Sequence, residues 1–159
     1  MKQMWSAEEI SKQAQKTKLD IAQLMDAQGN PRFVEGEGVP MELEGFTASY
    51  CKWSLSGTHL MLVLSGTFED TTVLPNDKIV AEFDLPQFIK DKIYPVWGSN
   101  METRSVTCTS ASWSTQTMNV VLYKETATGI MKVKTLSTSL TFTATRSFRI
   151  QFDLLIDAE

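Results

Sequence analysis

The sequence predicts a mainly β protein: an antiparallel jelly-roll β-sandwich of about eight strands preceded by one N-terminal coiled-coil helix. Three observations lead there. Residues 1–30 space their apolar side chains at a helical period, with a start signal and a stop signal at the two ends. From residue 31 onward Val, Thr, Leu, Phe and Ser dominate, and turn signals recur every 8–12 residues or so. The chain has 159 residues, enough for one real core and a small appendage.

The helix comes first. Ser6-Ala7-Glu8-Glu9 reads as a capping box, in which Ser6 accepts from the amide of Glu9 and Glu9 reaches back to the amide of Ser6. Trp5 and Ile10 hold the positions of a hydrophobic staple across that cap. Gly29 and Pro31 supply the stop, so a helix is expected from Ala7 to about Gln28. Ile10, Ala14, Thr17, Ile21 and Leu24 form a narrow heptad seam, while Lys12, Lys16, Lys18 and Asp20 lie on the other faces. Burying a large side chain contributes about 2–3 kcal/mol, and ordering each backbone residue costs about 1–2 kcal/mol. A seam with three large residues therefore needs a neighbour. A helix docked on its own sheet usually shows a broader apolar face, so self-association around a threefold axis is preferred to packing on its own domain.

The expected division is a helical stalk or attachment segment over residues 1–30, a linker over 31–42 and a β-sandwich head over 43–159. Asn30-Pro31 and Glu35-Gly36-Glu37-Gly38 carry the linker signal. Strands are expected at Leu43–Trp53, His59–Phe68, Lys78–Leu85, Arg104–Ser110, Ser112–Tyr123, Ile130–Leu136, Leu140–Thr145 and Phe148–Ile156. In the first, Phe46, Ala48, Tyr50 and Lys52 are placed on one face by simple alternation. In the last, Phe148, Ile150, Phe152 and Leu154 alternate with Arg149, Gln151 and Asp153. A short helical turn is expected after Leu85, opened by Pro86, with Phe88, Ile89 and Ile93 toward the core.

Composition narrows the function. A net charge of −4 and a pI of about 5.1 argue against a nucleic-acid partner, which asks for a basic stripe. No apolar run approaches the length that spans a bilayer, so no membrane insertion is expected, and Met1–Ala7 lacks the apolar middle of a signal peptide. Cys51 and Cys108 match no metal spacing; they fit either a bridge between strands or two buried thiols, the second being preferred. The one histidine, His59, opens a strand after a turn and has no placed acid or nucleophile. Glu69-Asp70 and Asn76-Asp77 fall in turns without a calcium-loop pattern. Glycine-rich phosphate loops and nucleophile elbows are absent. No catalytic residue, metal or cofactor is expected, and the chain reads as a binding protein rather than an enzyme. Among the aromatics, Trp97 in Tyr94-Pro95-Val96-Trp97-Gly98-Ser99-Asn100 lies in a loop composition. Tyr94, Trp97 and Asn100 are therefore the candidate ligand contacts, against the reading that Trp97 plugs the sandwich end or an interface. Trp53 and Trp113 fall on expected strands and are assigned to core or interface.

The stretch Leu60–Phe68, then Ile79–Leu85, then Leu85-Pro86-Gln87-Phe88-Ile89-Lys90-Asp91-Lys92-Ile93-Tyr94-Pro95, resembles trimeric bacteriophage fibre, baseplate and receptor-binding proteins with a jelly-roll, C1q-like head. There an LP-x-x-I-x-x-x-I-x-P turn follows a strand. The resemblance covers roughly residues 55–156. It implies a homotrimeric virion component, made in the host cytoplasm and exposed on the particle, that binds a host-surface glycan or protein. The alternative it leaves open is a structural virion part with no ligand, anchored to other virion proteins through Met4, Trp5 and the helix.

Overall fold

A computed structural model describes residues 6–24, 33–93, 102–136 and 138–156, with side chains of the N-terminal helix described from Ser6 to Gln15. The first element is the helix α1 (Ala7–Leu24). Its cap is reciprocal: the Ser6 amide donates to Glu9 Oε2 at 2.7 Å, and the Glu9 amide donates to Ser6 Oγ at 3.2 Å. The Ser6 amide first, and the Ser6 hydroxyl second, favour the charged carboxylate, so Glu9 titrates below its ordinary value. Of the seam, Ile10 is 57% exposed and Ala14 is exposed, so the head does not cover this part of it. Thr17, Ile21 and Leu24 lie on the helix backbone, and their side chains are outside the described residues.

The head is built from β1 (Phe33–Glu37), β2 (Val39–Pro40), β3 (Phe46–Ser56), β4 (His59–Phe68), β5 (Val73–Leu74), β6 (Ile79–Phe83), α2 (Gln87–Lys90), β7 (Glu102–Ser110), β8 (Thr115–Lys124), β9 (Met131–Thr135), β10 (Leu140–Thr141) and β11 (Arg146–Leu155). It is mainly β and antiparallel throughout. One sheet runs β1-β3-β4-β11-β7-β8-β9-β6-β2, and β5 pairs with β10. The long sheet folds into two layers at β11–β7, where only Arg146↔Ser110 and Ser147↔Thr109 pair. Its two ends, β1 and β2, are halves of one segment. Gly38 sits between them and donates its amide to the Cys51 carbonyl at 2.9 Å. A Cβ on Gly38 would lie 2.6 Å from the Phe83 ring and 2.8 Å from Cys51 Sγ, so only glycine lets the strand pass from one layer to the other. Residues 33–40 were expected as linker. They are strands that close the sandwich, because β3 offers its edge to β1 and β6 offers its edge to β2.

Leu60, Leu62 and Leu64 of β4, Phe148, Ile150, Phe152 and Leu154 of β11, and Met118, Val120 and Leu122 of β8 form one core with Trp53, Phe83 and Ile89. The alternation expected for β3 fails at a β-bulge, where the register shifts between Ala48 and Tyr50. The extra residue changes which side chains point inward. Phe46 packs on the core, Tyr50 and Lys52 face out, and Cys51, Trp53 and Leu55 are buried. The short helix starts after Pro86 as expected, with Ile89 and Ile93 buried and Phe88 packed on the core. Cys51 and Cys108 are free and buried. Burial pushes each thiol up to about 11, with Glu37 adding to the rise at Cys51 and Arg146 opposing it at Cys108. Among the described residues no helix is long and apolar enough to cross a membrane.

Candidate functional site

The strand directions give the sandwich two distinct ends. One end, where the chain enters β1 at Phe33, also holds Ser56, His59 and Leu155. The opposite end collects the β7–β8 turn, the start of β11, the end of β4 and the β5–β10 pair. The expected ligand residues Tyr94, Trp97 and Asn100 lie outside the described residues, as do Met4 and Trp5. His59 opens β4 as expected and meets Asp153 Oδ1 at 2.9 Å.

The opposite end holds the most unusual side chain of the head. Trp113 was expected on a strand, in core or interface. It is neither on a strand nor in the core of the single chain: it lies in the turn between β7 and β8, 84% exposed, with φ +66. A left-handed conformation costs a non-glycine residue about 1–2 kcal/mol, and strain of this kind persists only where the surroundings impose it. The surroundings here are explicit. The Trp113 amide donates to the Ser110 carbonyl at 3.0 Å, and the Ser110 amide donates to the Ser114 carbonyl at 2.9 Å. Ser110 Oγ lies 3.1 Å from Ser112 Oγ and 2.8 Å from Ser114 Oγ, and it accepts the Ser114 amide at 3.2 Å.

Behind this turn sits Arg146, the first residue of β11 and only 4% exposed. Its Nε donates to Gln116 Oε1 at 2.6 Å, and its Nη2 donates to Thr143 Oγ1 at 3.3 Å. Its Nη1 donates to the Ser114 carbonyl and, at 3.1 Å, to Ser114 Oγ. Among the described residues every partner is a neutral oxygen. Buried charge is tolerated when its hydrogen-bonding capacity is met, and the Arg146 donors meet theirs by tying the turn to β8, β11 and the segment after β10. Gln116 completes the knot by donating to the Thr141 carbonyl at 3.0 Å and accepting the Thr143 amide at 2.9 Å.

A phenylalanine cluster forms the floor of the same end. Phe68 stacks on Phe142 at 4.2 Å and lies 5.1 Å from both Phe46 and Phe148. Gly66 leaves room for Phe46, since a Cβ there would lie 2.6 Å from its ring. Beside the cluster, a shallow depression of about 420 Å³ is rimmed by Glu44, Glu69, Asp70 and Thr71. The outward face of the β7–β8 hairpin carries Thr103, Ser105, Thr107, Thr109, Thr115, Thr117 and Asn119, with no charge among them. A single cross-strand row, Thr47↔Thr67↔Ser147↔Thr109↔Thr115, continues these hydroxyls over five strands.

Sequence reasoning missed Trp113 because it extended the β8 pattern back to Ser112. The run Ser110-Ala111-Ser112-Trp113-Ser114 is itself a turn composition, and that signal would have found it. No known family and no curated protein matches the chain. Among solved structures, the chain is similar to the bovine atadenovirus type 4 fibre head protein, with a TM-score of 0.40 and 15% identity over 76% of this chain and 97% of that one.

Proposed function

We propose that the chain is a fibre-type virion protein: a homotrimer aligned by α1 and held mostly through its heads, which recognise a host-surface receptor with the end that carries Trp113. In this reading it binds and does not catalyse, and the N-terminal segment joins it to other virion proteins. The carrying observation is the opposition of the two ends. The chain enters the head at Phe33, and the strained, exposed Trp113 is held at the other end of the strands. A stalk at one end leaves the other facing outward. The uncovered Ile10 and Ala14 support self-association, since seam residues that their own head leaves bare ask for other copies of α1.

Two measurements test the reading. Light scattering of the full chain at micromolar concentration should give three times the mass of 17.9 kDa; a monomer would remove the trimeric part. Binding of the labelled full chain to a panel of bacterial cell surfaces should be saturable and should weaken with Trp113→Ala. Incorporation into particles without any surface binding would favour a purely structural role.

A further inference from the structure

Resting on that reading, we infer that the Trp113 turn is a stacking platform for an uncharged sugar ring, and that the hydroxyls of Thr109, Thr115, Thr107 and Thr117 beside it receive the rest of the glycan. The indole of Trp113 is the large exposed side chain of this turn. At 84% exposure it gives up most of the burial that a tryptophan ordinarily gains. The chain also tolerates a left-handed φ of +66 to put it there. It then fixes the turn through a buried guanidinium and the Ser110, Ser112 and Ser114 hydroxyls. The turn that presents the ring is held in this way before a ligand arrives, so less ordering cost is left to binding, which is the condition for useful affinity from a small contact.

The surroundings choose the ligand. Thr109 pairs with Thr115 next to the turn, and Thr107 pairs with Thr117 one step further along the same outward face. The exposed hydroxyls of Thr107, Thr115 and Thr117, and that of half-buried Thr109, can both donate and accept, as sugar hydroxyls require of a partner. No charged side chain shares that face of the hairpin. An acidic sugar would ask for a free cation; the Arg146 donors are buried and turned to Gln116, Ser114 and Thr143, and Arg149, exposed two residues beyond Ser147 on β11, donates to Gln151 Oε1 at 3.2 Å. At the same end Glu44, Glu69 and Asp70 would repel an anion. Beyond the indole itself a protein partner fits less well, because serine and threonine are under-represented among the residues that carry protein–protein binding energy. A nucleic acid lacks the cations it would need.

The test uses the full chain and a glycan array that carries neutral hexose and N-acetylhexosamine oligosaccharides beside uronate and sialylated ones. Array hits are followed by titration of the free oligosaccharide with tryptophan emission as readout. The expected result is saturable binding of a neutral oligosaccharide with a blue shift of the emission. Trp113→Ala should weaken it at least tenfold, Trp113→Tyr should retain part of it, and Thr107→Val should weaken it severalfold with unchanged unfolding. Preference for acidic glycans, or neutral binding indifferent to Trp113→Ala, overturns the inference. Cell-surface binding that depends on Trp113 with no glycan bound at all also overturns it, in favour of a protein receptor, while leaving the proposed function standing. Loss of both cell and glycan binding removes the two together.

Discussion

Arg146 Nε and the Thr143 amide converge on one atom, Gln116 Oε1, at 2.6 Å and 2.9 Å. That oxygen joins β8, the start of β11 and the segment between β10 and β11, and so fixes the end of the sandwich that carries Trp113. Gln116→Ala removes the acceptor and leaves a buried cation short of a partner. The expected cost is about 2–3 kcal/mol, read as a lower denaturant midpoint with an unchanged slope. Because the turn loses its brace, the Trp113 indole should also gain mobility, seen as lower fluorescence anisotropy in a chain whose other tryptophans are replaced by Phe.

Gly38 should be intolerant of any side chain. Valine there would press on the Phe83 ring and Cys51 Sγ where the strand changes layers. Overpacking of this kind costs about 1–3 kcal/mol and sometimes more, and the upper end is expected with two buried groups in the way. Gly57 makes the contrast: a Cβ meets nothing within 4 Å, and only its φ of +62 resists substitution. Gly57→Ala should cost about 1–2 kcal/mol. Thermal unfolding of the two variants side by side checks the order.

The two thiols give a pH signature. Each has a folded value of about 11 against an ordinary value of 9.0, because burial disfavours the thiolate. A raised folded value means that the folded state holds the proton longer. The resulting stability is complete below pH 9 and is lost as pH rises from about 9 through 11. Denaturant midpoints should fall across that window in the native chain and fall less in a Cys51→Ala, Cys108→Ala variant. Thiol reagents at pH 8 should label neither cysteine until the head unfolds.

The cap of α1 titrates in the opposite sense. Glu9 is held below its ordinary value by the Ser6 amide and hydroxyl. Its contribution is present above the unfolded value and is lost as pH falls through the folded one. Helical signal in far-ultraviolet dichroism should therefore drop on acidification through the carboxylate range, and Ser6→Ala should reproduce the drop at neutral pH while leaving head unfolding unchanged.

Much of the head was legible residue by residue. β4 runs from His59 to Phe68, as its alternation and flanking turns predict, and the inward row of β11 is the one its Phe, Ile and Leu spacing implies. The capping box was legible because its partners are three residues apart. What escaped depends on partners distant in sequence. Residues 33–40 look like linker until β3 and β6 are placed beside them. The bulge in β3 is set by pairing with β4, so counting by twos carried Tyr50 to the wrong face. Trp113 was lost for a related reason: the turn that carries it is braced at Ser114 by Arg146, which lies on β11 and meets the turn only once the sheet has folded over.

The central claim is that recognition belongs to the end opposite the stalk. The most direct test is a binding titration of full-length chain on cells of a surface that it recognises, with Trp113→Ala and Trp97→Ala compared at equal thermal stability. The account predicts at least a tenfold loss for Trp113→Ala and little change for Trp97→Ala. A loss confined to Trp97→Ala, with Trp113→Ala binding as well as the native chain, would contradict it.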